Sequence, residues 1–148
     1  MKVFIGADHK GFPLKEVLKP FVTSLGFPIV DCGNTVFDPH DDYPDFAFAV
    51  AKEVVKHADD RGIVICGSGA GVSIAVNKID GVRAVLGVTP EQVRDARNDD
   101  NINIIALACN YLTEEQATAI VESFLNTPFG AKERYIRRIG KITTQEQY

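Results

Sequence analysis

Residues 62–77, GIVICGSGAGVSIAVN, constrain what this chain can fold into more than any other stretch. Ile63, Val64, Ile65 and Cys66 form a short apolar run that reads as a buried strand. Gly67, Ser68, Gly69, Ala70 and Gly71 follow, a turn open only to small residues. Val72, Ile74, Ala75 and Val76 then resume at helical spacing. Strand, glycine-rich turn and helix place a thiol on the last strand residue and a hydroxyl two residues later. A helix start offers unpaired backbone N–H groups and the positive end of a dipole. Glycines let a ligand approach that backbone without meeting Cβ atoms. A cysteine there has its thiolate favoured, so its pKa falls from about 8.5. A lone cysteine is usually a small core hydrophobe. Beside five small residues, Cys66 reads instead as a base or nucleophile next to an anion-stabilising turn.

The rest of the chain alternates in the same way. A strand over 3–5 precedes the polar turn Gly6-Ala7-Asp8-His9-Lys10-Gly11. Leu14, Val17, Leu18, Phe21, Val22 and Leu25 then repeat at helix period, with Pro13 suited to the first turn and Gly26 to the end. Pro20 is expected to kink or break that helix. A strand over 28–32, an acidic loop over 34–44 and a helix over 46–57 lead to the central unit. Beyond it come a strand over 82–88 and a helix capped by Thr89 with Pro90 at its first position, ending at Asn98-Asp99-Asp100-Asn101. A strand over 103–108 follows, and a Thr113–Gln116 capping box opens a helix to about residue 125. Strands apolar throughout imply burial on both faces, hence a parallel sheet between two layers of helices. The expected fold class is α/β: a three-layer, doubly wound, five-stranded parallel sheet, Rossmann-like and specifically flavodoxin-like. Ligands of such sheets lie beyond the carboxyl ends of the strands. That edge should collect Asp8 and His9, Asn34, Cys66 with Ser68, Thr89 and Asn110. Taken alone, Asp8 reads equally as a cap of the first helix and His9 as a surface turn residue.

At 148 residues the chain is read as a single domain over 1–148. A net charge of −4 argues against nucleic acid as a partner. No apolar run approaches the ~20 residues of a membrane span, and the N-terminus does not read as a signal peptide. Three widely spaced cysteines, Cys32, Cys66 and Cys109, suggest free thiols in a reducing cytoplasm and no zinc site. The P-loop pattern is absent, and G-x-G-x-x-G counted from Gly67 fails at Val72, so a nucleotide or flavin module is weakly supported.

The turn at 6–11, the run Ile65-Cys66-Gly67-Ser68-Gly69-Ala70-Gly71-Val72-Ser73-Ile74-Ala75 with Asn77-Lys78, Asp42-Tyr43-Pro44 and Gly81-Val82-Arg83-Ala84 resemble the ribose-5-phosphate isomerase B family, which includes the galactose-6-phosphate isomerase subunits. The resemblance runs to about residue 142. It implies the fold above, aldose–ketose isomerisation of a sugar phosphate through a cis-enediolate without metal or cofactor, and a homodimer or tetramer whose subunits share each active site. On that resemblance Cys66 is the base that moves the proton, and Ser68 assists at the carbonyl end. The backbone from Gly69 through Ala70 and Gly71 to Ser73, with Gly67, holds the enediolate oxygens. Asp8, His9 and Tyr43 contact the sugar or its phosphate, and Arg134 and Arg138 grip the phosphate. Without the resemblance, those two arginines read as part of a solvated basic face with Lys132, Arg137 and Lys141. The segment over about 128–148, carrying Ile136, Ile139 and Ile142, is expected to be helical and to pack on a partner subunit.

The chain also departs from the family. Arg97-Asn98-Asp99-Asp100 stands where most members have Arg-x-His-Asn, whose histidine reaches the neighbouring subunit's site and opens the sugar ring. Asp99 thus takes the place of that histidine and Asp100 that of the asparagine, making Asp99 the candidate ring-opening base. Asn110 stands for an arginine of the phosphate site and Tyr135 for a histidine. These changes leave two alternatives to ribose 5-phosphate isomerisation: an isomerase of another sugar phosphate, six-carbon ones included, or a catalytically weak sugar-phosphate-binding relative.

Overall fold

Three strands of the sheet, β1 (Val3–Ala7), β3 (Arg61–Cys66) and β5 (Ile104–Ala108), are buried at every position but Arg61. Both their faces are covered, so neither face calls for a polar residue. In the computed structural model, which describes residues 1–146, they form the centre of a five-stranded sheet with β2 (Ile29–Asp31) and β4 (Ala84–Leu86) at its edges. Every strand pair is parallel. The helices are α1 (Phe12–Ser24), α2 (Tyr43–Val54), α3 (Ala70–Val76), α4 (Pro90–Asp100), α5 (Glu114–Asn126) and α6 (Glu133–Gln145). Positions 147 and 148 of the expected C-terminal segment lie outside the described residues.

The strand order is β2-β1-β3-β5-β4. It is doubly wound and Rossmann-like, but its last two strands are exchanged relative to the flavodoxin order 2-1-3-4-5. Right-handed crossovers explain the layers. Steps from β2 to β3 and β3 to β4 move one way across the sheet and put α2 and α3 on one face, around Phe4, Val50, Val64, Val72 and Ala106. Steps from β1 to β2 and β4 to β5 move back and put α1 and α4 on the other. There they join α5 around Ile5, Leu18, Ile65, Leu107 and Phe124. Each of these large side chains stabilises the fold by about 1.5–3 kcal/mol when fully buried.

Helix α1 runs through Pro20 unbroken, contrary to expectation. Pro20 is exposed, so the carbonyl left without its helical donor can turn to water. Helix α2 starts at Tyr43, with Pro44 in its first turn, and stops at Val54, three residues early at each end. Strand β4 is shorter than expected because only residues 84–86 reach β5.

Beneath the first loops, Lys15 of α1 is fully buried. Its ammonium bonds both oxygens of Asp31, at 2.6 and 2.8 Å, and the Asn34 carbonyl at 2.6 Å. Asp31 also accepts from Lys19 and from the Gly33 amide. Burial pushes its carboxyl up, but the two lysines and the amide together hold it below the usual carboxylate range. Removing one partner of such a buried pair typically costs about 3–5 kcal/mol. The network pins the end of β2 to α1 and thereby the start of the loop at 32–42.

Candidate active site

The first crossover leaves a crevice between the carboxyl ends of β1 and β3, where the winding changes direction. A cavity of about 470 Å³ opens there, lined by Asp8, His9 and Lys10 after β1, Asp41 and Asp42 before α2 with Tyr43 at its first position, Cys66 to Ser68 and Gly71 around the central turn, and Asn110 after β5.

The turn after β3 is shaped by close approach. Gly69 has φ +71° and begins α3. A Cβ there would lie 2.4 Å from Leu86 Cδ1 and 3.1 Å from the Ala108 nitrogen, so any side chain collides with β4 and β5. At Gly71 a Cβ would lie 2.6 Å from the Tyr43 ring, which is how Tyr43 comes to roof the turn. The backbone accounting at the helix start is selective. The Ala70 amide donates to Ser68 Oγ at 3.3 Å, and the Ser73 amide donates to the Gly69 carbonyl at 3.1 Å. The amides of Gly71 and Val72 have no acceptor among the described residues. Ser73 therefore does not have the free amide expected of it; the first turn of α3 already uses it.

Cys66 is 4% exposed and sits at the cavity floor. The Cys109 amide bonds its carbonyl at 3.0 Å, tying the turns after β3 and β5 together. The other two cysteines are held as thiols. Burial pushes the Cys32 thiol up to about 11, with Glu53 and Asp31 adding to it. Burial also raises Cys109, reinforced by Asp8 and Cys66. Asp8 lines the cavity, and its Oδ1 accepts from the amide of Gly11, the N-cap of α1, at 3.0 Å, so it orders the turn before the helix without being its cap residue.

Two edge residues expected here lie elsewhere. Thr89 is the N-cap of α4, accepting from the Gln92 amide, and β4 at the sheet edge is too far across for it to line this cavity. Asn34 is taken up by Lys15 through its carbonyl and by the Val36 amide through its side chain. Asp41 and Lys10 were not singled out from the sequence. Lys10 lies within a motif that was recognised, whereas Asp41 had no signal beyond an acidic loop.

Asp99, Asp100, Arg134 and Arg138 are not brought to this cavity within the chain. Helix α4 starts beyond the carboxyl end of β4, and its last turn, with Asp99 and Asp100, reaches the amino-terminal edge of the sheet. Tyr135 of α6 is buried against that region. Its hydroxyl accepts from Arg134 at 3.0 Å, and the Arg134 guanidinium lies 4.8 Å from its ring centroid. Hydrogen bonds from Asn98 and Tyr135, with Arg134 and Lys132 nearby, hold the Asp99 carboxyl below the usual range. Arg138 is exposed one turn further along α6, as are Ile136 (55%) and Ile142 (52%). Among the described residues, no helix is long and apolar enough to cross a membrane.

Comparison with known proteins shows the family and agrees with the fold. The family model described as Ribose/Galactose Isomerase matches residues 3–142. The probable ribose-5-phosphate isomerase B of Mycoplasma genitalium is 42% identical over 146 residues, covering 98% of this chain and 95% of that one. A crystal structure of ribose-5-phosphate isomerase B from Mycoplasma genitalium, with bound ribulose-5-phosphate, superposes with a TM-score of 0.94 at 42% identity, covering 99% of this chain and 96% of the other. The type B ribose 5-phosphate isomerase of Trypanosoma cruzi superposes at 0.95 with 38% identity, covering 99% of each chain. A family model spanning nearly the whole chain and relatives matched end to end leave one assignment: the chain belongs to the ribose/galactose isomerase family of aldose–ketose isomerases.

Proposed function

We propose that the protein interconverts ribose 5-phosphate and ribulose 5-phosphate. The observation that carries this reading is the meeting of Cys66, Gly71 at the start of α3, where the Gly71 and Val72 amides have no acceptor among the described residues, and the bases His9 and Lys10 around one cavity. As thiolate, Cys66 takes a proton from the carbon beside the carbonyl and returns it to the neighbouring carbon. The negative charge passes to the oxygens of a cis-enediolate, which accept from those two amides. Donors aimed at developing charge are each worth on the order of 3 kcal/mol. Ser68, exposed at the rim, moves the hydroxyl proton at the carbonyl end. Asp8 and Tyr43, with the backbone of Gly67, Gly69 and Ala70, hold the sugar chain.

The chain acts as a homodimer in the cytoplasm, and each cavity is completed by Asp99, Asp100, Arg134 and Arg138 of the partner. The exposed apolar face of α6 supports this, since Ile136 and Ile142 leave about half of their surface open to solvent. Asn110, which lines the cavity where the family carries an arginine, favours a second reading, a sugar phosphate with six carbons. Parallel assays decide between them. On the first reading, kcat/KM for ribose 5-phosphate exceeds that for galactose 6-phosphate by at least about tenfold, roughly what one missing or extra carbon is worth in a fitted pocket. The reverse order would establish the second reading.

A further inference from the structure

One acidic side chain of the cavity takes no part in moving the proton. Asp41 ends the loop before α2, and its carboxylate is 5% exposed behind a His9 ring that is 28% exposed. Its Oδ1 accepts twice from His9: from the backbone amide at 2.9 Å and from ring Nδ1 at 2.8 Å. Its Oδ2 is buried with no partner among the described residues. Among the described residues the imidazole is therefore the one side chain that hydrogen-bonds this carboxylate, and a buried polar group left without a partner is costly. A carboxylate only accepts, so Nδ1 is the nitrogen that carries the proton, and Nε2 is left for the cavity.

The cavity wall explains the use of such a pair. Its acids are Asp8, Asp41 and Asp42, and its bases are His9 and Lys10 alone. Among the lining residues, Lys10 and the His9 ring are the basic side chains that a phosphate dianion meeting this wall can reach. For Nε2 to donate to phosphate while Nδ1 donates to Asp41, the ring must hold both protons.

We propose that Asp41 is a positioning residue: it fixes His9 with Nδ1–H turned inward, so that Nε2 faces the cavity and donates to the substrate's phosphate. The inference rests on the isomerase reading of the cavity. It concerns binding, because the phosphate is remote from the carbons that react. In Asp41→Ala the KM for ribose 5-phosphate rises about tenfold and kcat stays within about twofold, the pattern of lost uniform binding. Inhibition by inorganic phosphate weakens by the same factor. Asp41→Asn, whose amide oxygen can still accept from Nδ1, keeps the ring orientation and raises KM less. Ring ¹⁵N spectra of the wild-type protein are expected to place the proton of His9 on Nδ1 in the free state and protons on both nitrogens with inorganic phosphate bound. A bare Nδ1 in the free protein, or an unchanged KM in a folded Asp41→Ala variant, would overturn the inference. Should the alanine variant not fold, the wild-type spectra and the asparagine variant decide. A wild-type protein inactive on every sugar phosphate would instead remove the isomerase reading, with the ring spectra still testing Asp41.

Discussion

Cys66→Ala abolishes isomerisation, with kcat/KM falling by about 10³-fold or more while sugar-phosphate binding persists; general base catalysis alone is worth about 10²–10⁴. Nothing else at the cavity floor can substitute. Ser68 and the Tyr43 hydroxyl are poor bases at neutral pH. Asp8 has one oxygen committed to the Gly11 amide. The substitution removes one atom from a buried position, so the fold survives at a cost on the order of 1 kcal/mol. Cys66→Ser is also inactive, since an alcohol in the same place is not deprotonated. The other cysteines serve as internal controls. Burial holds Cys32 and Cys109 as thiols, so alanine at either leaves turnover largely intact. Steady-state kinetics with circular dichroism as the fold check reads all four variants. A Cys66→Ala protein with wild-type turnover would mean that the base is elsewhere.

Replacing Arg134 and Arg138 together by alanine lowers kcat/KM by about 10²-fold, mostly through KM, as expected for two charge-assisted contacts to a phosphate. That effect has no explanation within one chain, where both arginines stand beside α4 at the amino-terminal edge of the sheet and Cys66 is at the carboxyl edge. Mixing is the sharper test. When Cys66→Ala and Arg134→Ala/Arg138→Ala proteins are unfolded together and refolded in equal amounts, half of the two-fold dimers are mixed. One site in each mixed dimer regains every residue, so about a quarter of wild-type activity returns. If the mixture is no more active than its two components, each site is built from one chain.

Much of this was legible in the sequence, for identifiable reasons. The strands at 63–66 and 104–108 are uniformly apolar because they are covered on both faces, so periodicity found them and the parallel sheet together. Thr113 and Gln116 form the reciprocal cap that their spacing implied. The glycines of the central turn marked the site because backbone approaches there leave no room for Cβ. What local pattern could not supply was anything set by distant pairing. The exchange of β4 and β5 depends on which edge a strand joins, and a short strand such as 84–86 carries no label for its neighbour. Pro20 looked disruptive because a sequence does not tell that its side of α1 faces water. Asp41 escaped notice because its role rests on His9, 32 residues away. The surroundings of Asp99 were not legible either: Asn98, Tyr135 and Arg134, which no spacing rule would bring together, hold its carboxyl below the usual range.

The central claim, that Cys66 and the turn after it move a proton between adjacent carbons of a sugar phosphate, is tested most directly by starting from ribulose 5-phosphate in heavy water and following it by NMR. That ketose has no furanose form, because its C5 oxygen carries the phosphate, so the assay bypasses ring opening and whatever Asp99 contributes to it. Because the proton held on Cys66 can exchange with the solvent, the expected result is deuterium at C2 of the ribose 5-phosphate that appears and at C1 of the remaining ribulose 5-phosphate, with neither change in the Cys66→Ala protein. Folded wild-type protein that binds ribulose 5-phosphate yet neither exchanges its C1 protons nor forms ribose 5-phosphate would contradict the account.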